Sequence, residues 1–300
     1  MGTVRPQGRA RRWLRELRGG MLVGALAAIT GCAAPPPPPE GPCVAADPAP
    51  PDRVGVFVRR APPGHSYALS QAAGVAYSTG RLAEVSTPEG RQGLNRDRET
   101  GGYVGLRDAR LTLLEALTPA PDRVAQIFDA TLAPADGVRL EGLLVLGAMT
   151  APSQMPTVGS ARYVGRAALT LTRDGADVTL LGDAVIAARF GTGSVGLFLS
   201  ALRPAQEVAL TAPETLAWSG LKVCAARIVS TGGGGVALLD AIGGAAAVVG
   251  PPGAAPGGAA RLDARFYGQA ADGMPSAVAG AFLIGGDAGV LHGVFMTERE

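Results

Sequence analysis

Histidine is nearly missing from this 300-residue chain; His65 and His292 are the only two. Zinc cages and histidine-based triads need more imidazoles than that, so both are excluded as organising chemistry. Lysine is rarer still, with Lys222 alone, and arginine carries the positive charge. Aromatic residues make up 5% and charged residues 17%. The longest apolar run near the N-terminus, residues 21–30, would form only about 15 Å of helix, half of a bilayer core of roughly 30 Å. It is therefore too short to span a membrane. The formal charge of +2 is dominated by the N-terminal stretch. Without the six arginines and one glutamate of residues 1–31, 21 basic side chains face 24 acidic ones, a balance of −3. Such a chain lacks the electrostatic footprint of a nucleic-acid partner. What the sequence has in abundance is glycine (44), proline (24) and hydrophobic residues (47%). That mixture favours short strands and turns around an ample core.

Residues 1–20 carry Arg5, Arg9, Arg11, Arg12, Arg15 and Arg18 ahead of the apolar run, the layout of an export signal. Arg11-Arg12 invites a twin-arginine reading, but Arg15 sits where that motif wants apolar residues. Ile29-Thr30-Gly31-Cys32 resembles the bacterial lipobox, which marks residues 1–31 as a lipoprotein signal peptide and Cys32 as the acylated (palmitate-bearing) first residue. An ordinary signal peptide with an incidental cysteine is the plainer alternative. Ala33 follows, without the aspartate that favours inner-membrane retention, so an outer-membrane, lipid-anchored location is expected. Residues 32–52 include five consecutive prolines, Pro35 to Pro39. Proline runs favour extended polyproline II and read as a stiff tether.

Residues 53–154 are expected to form a smaller β-rich domain. Strands are predicted at 54–59, 104–114, 123–132 and 137–146, with a short helix as an alternative over 111–117. Residues 87–102, polar and glycine-containing, read as an exposed loop. From residue 155 the pattern sharpens. Ala161, Tyr163, Gly165, Ala167, Leu169 and Leu171 share one strand face, and Val178, Leu180, Ala184, Ile186, Ala188 and Phe190 another. Asp174-Gly175 makes a tight turn between them. Further strands are predicted at 195–202, 218–230, 236–249, 261–267, 277–284 and 289–297. No helical period is long enough for crossovers, so the eight form a meander. Closing it removes two exposed edges. The fold class expected is all-β, an eight-stranded antiparallel up-and-down barrel at 155–300 behind a smaller β-rich domain.

The residues Met155-Pro156-Thr157, Gly159, Ala161, Tyr163 and Gly165 resemble the entry to the barrel of the transferrin-binding-protein-B-like surface lipoproteins. Asp183-Ala184 through Arg189-Phe190-Gly191-Thr192-Gly193-Ser194-Val195 resembles their second hairpin. Phe266-Tyr267-Gly268, Gly280 with Phe282, and Gly293 with Phe295 resemble their closing signature. Gln269 departs from the family's usual proline, and the chain holds one handle-plus-barrel unit where transferrin receptors have two lobes. The resemblance implies a handle-like role for 53–154. It also implies a non-enzymatic, cell-surface binding lipoprotein for a protein or an iron- or haem-related ligand. A structural envelope lipoprotein without a dedicated ligand is the alternative.

Other motifs dissolve on inspection. Gly191 to Gly196 matches G-x-G-x-x-G, but strand-like sequence follows where a dinucleotide site opens a helix. Nothing pairs Asp183, Asp240, Asp263 or Asp287 as catalytic carboxylates. No catalytic, cofactor or metal residue is nominated, and no cofactor. After Cys32, Cys43 and Cys224 remain. An exported chain sits where disulfides persist, so they form one bridge or stay as two thiols, Cys224 being a small buried strand residue.

Overall fold

The computed structural model describes residues 53–61, 66–76, 81–117, 124–133, 139–173, 176–206, 214–230, 236–239, 245–249, 260–286 and 289–300. Among them there is no α-helix, only 3-10 turns at Leu106–Asp108 and Pro152–Gln154.

The first barrel is built from β1 (Arg53–Ala61), β2 (Ser66–Ala76), β3 (Leu82–Thr87), β4 (Gly90–Arg96), β5 (Tyr103–Gly105), β6 (Arg110–Leu113), β7 (Ala125–Leu132) and β8 (Leu140–Gly147). Each strand pairs antiparallel with the next, and β1 returns to β8 with Val56 opposite Val145. The β-rich region expected here is thus a closed cylinder. Its interior is filled by Phe57, Leu111, Phe128, Leu144 and Leu146, all at or below 2% exposure. Residues 87–102 do not form a single loop. β4 runs through them, because Gln92 and Leu94 turn inward while the charges around them face water. The helix considered for 111–117 is a strand, β6, followed by a turn.

The second barrel comprises β9 (Ser160–Arg173), β10 (Ala176–Arg189), β11 (Ser194–Pro204), β12 (Thr215–Cys224), β13 (Arg227–Ser230), β14 (Val236–Leu239), β15 (Ala245–Val249), β16 (Ala260–Tyr267), β17 (Ala277–Gly286) and β18 (Gly289–Arg299). The closed ring is β9-β10-β11-β12-β13-β16-β17-β18, an eight-stranded antiparallel barrel as expected. Two of its predicted members differ. The 218–230 stretch breaks at Ala225, which takes a left-handed φ of 52°, and yields both β12 and β13. The 236–249 stretch folds into the β14–β15 hairpin, which extends the sheet from the upper part of β12. The predicted inward faces of β9 and β10 do line the interior, packed with Trp218, Phe266, Phe282 and Phe295.

The two barrels lie side by side. Val56 and Val58 of β1, Ile127 of β7 and Val145 of β8 point out of the first barrel. They meet Ala277, Ala279 and Ala281 of β17 with Val294 and Met296 of β18, which point out of the second. The alanine stripe on β17 keeps that surface flat, so β1 approaches closely. Each Val, Ile or Met removed from water contributes about 1.5–3 kcal/mol.

Candidate binding surface

Strand directions decide which ends of the barrels coincide. Tyr67, at the start of β2, donates to or accepts from the Thr172 hydroxyl near the end of β9 at 2.8 Å. Its ring also lies 5.0 Å from His292, near the start of β18. At the other end, Thr150 Oγ1 donates to the Gly268 carbonyl at 2.6 Å, and Gly268 N–H donates to Ala148 O at 3.0 Å. Gly268 takes φ +63°, and an added Cβ there would lie 2.6 Å from Val124 Cγ1, so glycine permits this junction.

One end of the molecule therefore collects the strand ends Ala61, Ser66, Thr87, Gly90, Gly105, Arg110, Leu132 and Leu140 of the first barrel. The strand ends Arg173, Ala176, Pro204, Thr215, Ala260, Gly286 and Gly289 of the second lie there too. The opposite end holds the entry at Arg53, the passage between barrels and the C-terminal Glu300. There Glu300 N–H donates to Arg162 O at 3.1 Å, and the Glu300 carboxylate pairs with the Arg162 guanidinium.

The shared loop end carries two features of a contact surface. Leu106 stands 82% exposed on the β5–β6 turn. Arg107 and Asp108 beside it hold left-handed φ values of 57° and 61°, a conformation disfavoured for non-glycine residues and found where function fixes a turn. Gly105 N–H to Ala109 O at 2.8 Å closes that turn, and Ala109 is buried. On the second barrel, Asp177, Val178, Thr179, Ala205 and Gln206 line a cleft of about 310 Å³. That volume is at the low end of small-ligand sites.

The groups with shifted proton affinity lie elsewhere. The Arg299 guanidinium, 2.7 Å from Asp272, holds that carboxyl below its usual range and is itself raised in turn. The Thr100 hydroxyl does the same for Asp97. Burial pushes the Tyr163 and Tyr267 phenols well above theirs. Partial desolvation by its neighbours also raises Asp129, although it lies on an exposed position of β7, with the Glu141 carboxylate adding to it. Asp272 and Asp97 both belong to turns at the entry end.

The residues singled out in the sequence are scattered. Cys32 and Cys43 lie outside the described residues, as do His65, Asp240 and Asp287. Cys224, at the entry end of β12, is 7% exposed and disulfide-bonded. Asp183 sits on the outer face of β10, 3.1 Å from Arg166. The Gly191–Gly196 motif is the β10–β11 turn, with Gly193 at φ +64°. Among the described residues no cluster of His, Cys, Asp or Glu is arranged to hold a metal ion. Leu106 and Tyr67 carried no sequence signal. An exposed leucine is ordinary, and the Tyr67–Thr172 contact joins residues 105 apart.

Comparison with known proteins gives the fold its counterpart. No family model matches the sequence, and no curated protein matches it. Among solved structures, a single-substitution variant of transferrin-binding protein B from Haemophilus parasuis Hp5 superposes with a TM-score of 0.50 at 11% identity. The match covers 82% of this chain and 45% of that one. A double-substitution variant of the same protein gives 0.50 at 12% identity, over 82% and 44%. Isotype 1 transferrin-binding protein B from serogroup B Neisseria meningitidis gives 0.45 at 14% identity, over 82% and 43%. The chain matches less than half the length of these proteins, and it has the transferrin-binding-protein-B-like fold.

Proposed function

We propose that this chain is a lipid-anchored, non-enzymatic binding lipoprotein of the outer membrane, exposed at the cell surface, which captures a protein or an iron- or haem-related ligand through its loop end. The observation that carries this reading is the alignment of the two barrels. Their hairpins converge at one end, and β1 begins with Arg53 at the other. A tether attached at Arg53 leaves the loop end facing away from the membrane. Neighbours in fold are transferrin-binding proteins, which supports protein capture as the class of activity. The proposed order is signal peptide 1–31, lipidated tether 32–52, handle-like barrel 53–154 and main barrel 155–300. Cys32 carries the acyl chains, and Cys43 is the proposed partner of Cys224.

The test is affinity capture with the mature chain carrying Cys32→Ser, immobilised through a tag after Glu300. A protein retained from host serum or envelope extract by this chain, and lost with Leu106→Asp, supports the reading. Retention that survives both Leu106→Asp and Thr179→Arg contradicts it. Palmitate labelling abolished by Cys32→Ser tests the anchor. A mass increase of two thiol adducts on reduction, mapped to Cys43 and Cys224, tests the bridge.

A further inference from the structure

The first barrel is closed only below its rim. β2 pairs with β1 from Ala61 opposite Ser66 to Arg53 opposite Gly74. β3 meets β2 only over residues 73–76, with Ser86 opposite Ala73. The β3–β4 hairpin then turns back at Thr87 opposite Gly90. β2 therefore overhangs its neighbour by residues 66–71, about 20 Å of strand at the loop end. Among the described residues no strand pairs with β2 along that edge.

Strand alternation says which groups the edge presents. The Ser86 hydroxyl donates to the Ala73 carbonyl at 3.5 Å, so Ala73 turns its backbone groups away from β1 and towards β3. The β1–β2 register runs unbroken from Ala73 to Ser66. In an antiparallel pair every second residue points its N–H and C=O the same way. Tyr67, Leu69 and Gln71 thus aim theirs at the open edge.

Nothing in this stretch wards off an incoming strand. SYALSQ carries no charge and no proline, and the bulge of β2 lies farther down, between Val75 and Ala76. Charge, proline and bulges are the devices that protect sheet edges. Ala68 and Ser70, on the same face as buried Ala72, are small and half-buried at the barrel mouth. On the other face Leu69 packs into the seam between barrels, and Tyr67 is held by Thr172. The overhang is therefore fixed in place before any partner arrives, which lowers the cost of binding.

We propose that residues 66–71 of β2 take up an extended segment of the captured protein as an added strand. This deepens the capture reading of the loop end and rests on it. A row of backbone donors and acceptors spaced for a ladder is matched by another extended backbone, which names the occupant. Small Ala68 and Ser70 leave room for branched or aromatic side chains at every second position of that segment. Its main chain supplies the affinity, and those side chains supply the specificity.

The probe is a six-residue peptide of alternating threonine and valine, capped at both ends, added to the mature Cys32→Ser chain. Amide hydrogen exchange is read by NMR. In the free chain Tyr67, Leu69 and Gln71 should exchange fast, while Ala68 and Ser70, bonded to β1, are protected. The peptide should protect the first three and leave β10 unchanged. The same peptide N-methylated at every residue should protect none. Gln71→Pro removes one outward donor at an exposed position and should abolish the effect, with an unchanged Tm as the check on folding. Protection of Tyr67, Leu69 and Gln71 in the free, dilute chain overturns the proposal, since the edge is then already covered. Protection that grows with chain concentration alone also overturns it, because the occupant is then a second copy. No gain up to the solubility limit of the peptide overturns it too. In that case a host protein still retained, and lost with Leu106→Asp, leaves the capture reading standing.

Discussion

The two barrels reach closure by different means. The second relies on long strands: β9 and β10 pair along fourteen residues each, from Arg173 opposite Ala176 to Ser160 opposite Arg189. Its interior holds the larger aromatic set, with Trp218 set edge-on to Phe282 at 6.3 Å and Tyr163 to Phe266 at 6.0 Å. The first barrel is made of shorter pieces. Its β5 has three residues, Tyr103–Gly105, and its core is mostly aliphatic around Phe57 and Phe128. The outward faces of its β1, β7 and β8 are covered by the neighbouring barrel. The difference teaches that closure alone does not make two barrels equal. One is sustained by strand length and its own core, the other by a good interior plus a borrowed hydrophobic wall.

The largest effects should come from the two cores and should sharpen this contrast. Phe282→Ala and Phe57→Ala each remove a fully buried ring, and each is expected to cost about 3–5 kcal/mol in urea unfolding. If the first barrel leans on the second, Phe282→Ala lowers hydrogen-exchange protection in β1 and β8 as well. Phe57→Ala should leave β10 and β11 protected. Equal loss everywhere in both variants would erase the distinction.

Backbone approach gives the next effect. A Cβ on Gly55 would lie 1.7 Å from the Val145 carbonyl oxygen, a backbone atom that cannot swing aside. Gly55→Ala should therefore destabilise by about 3 kcal/mol, at the upper end for overpacking. Gly191, in the β10–β11 turn, meets nothing within 4 Å. Gly191→Ala should shift the urea midpoint barely at all.

Tyr67→Phe tests the alignment of the loop ends. It deletes the hydroxyl that pairs with Thr172 and should cost about 1 kcal/mol, a typical net value for one hydrogen bond. A double-mutant cycle with Thr172→Val that shows no coupling would break the alignment.

The smallest effect is a pH dependence confined to the first barrel. Partial desolvation and the Glu141 carboxylate raise Asp129, so the folded state holds its proton more tightly than the unfolded chain. Stability then falls as pH rises from the ordinary carboxylate value, about 3.9, through the raised one. Asp129→Asn should raise Tm slightly at neutral pH, and the gain should disappear below that window.

The same contrast explains what could be read from the chain. β9 and β10 announce themselves through strict alternation, since one face of each is core and the other water. β2 reads SYALSQAAGVA, small residues with little contrast between faces, and β4 reads GRQGLNR, with Gln92 and Leu94 alone turned inward. Period-two reasoning has little to act on in either. Asp263, Arg265 and Tyr267 alternate correctly with the core residues of β16, so their outward placement was legible. Their burial was not, because it comes from the other barrel. The loop end is hidden for the same reason. It depends on how two closed sheets dock, and no local pattern encodes that.

The measurement that bears most directly on the central claim is comparative capture by the immobilised mature chain, using substitutions at opposite ends. The account predicts that Leu106→Asp and Thr179→Arg abolish retention of a partner that wild type and Asp272→Ala both hold. Retention lost with Asp272→Ala and kept with the two loop-end variants would place recognition at the entry end and contradict it.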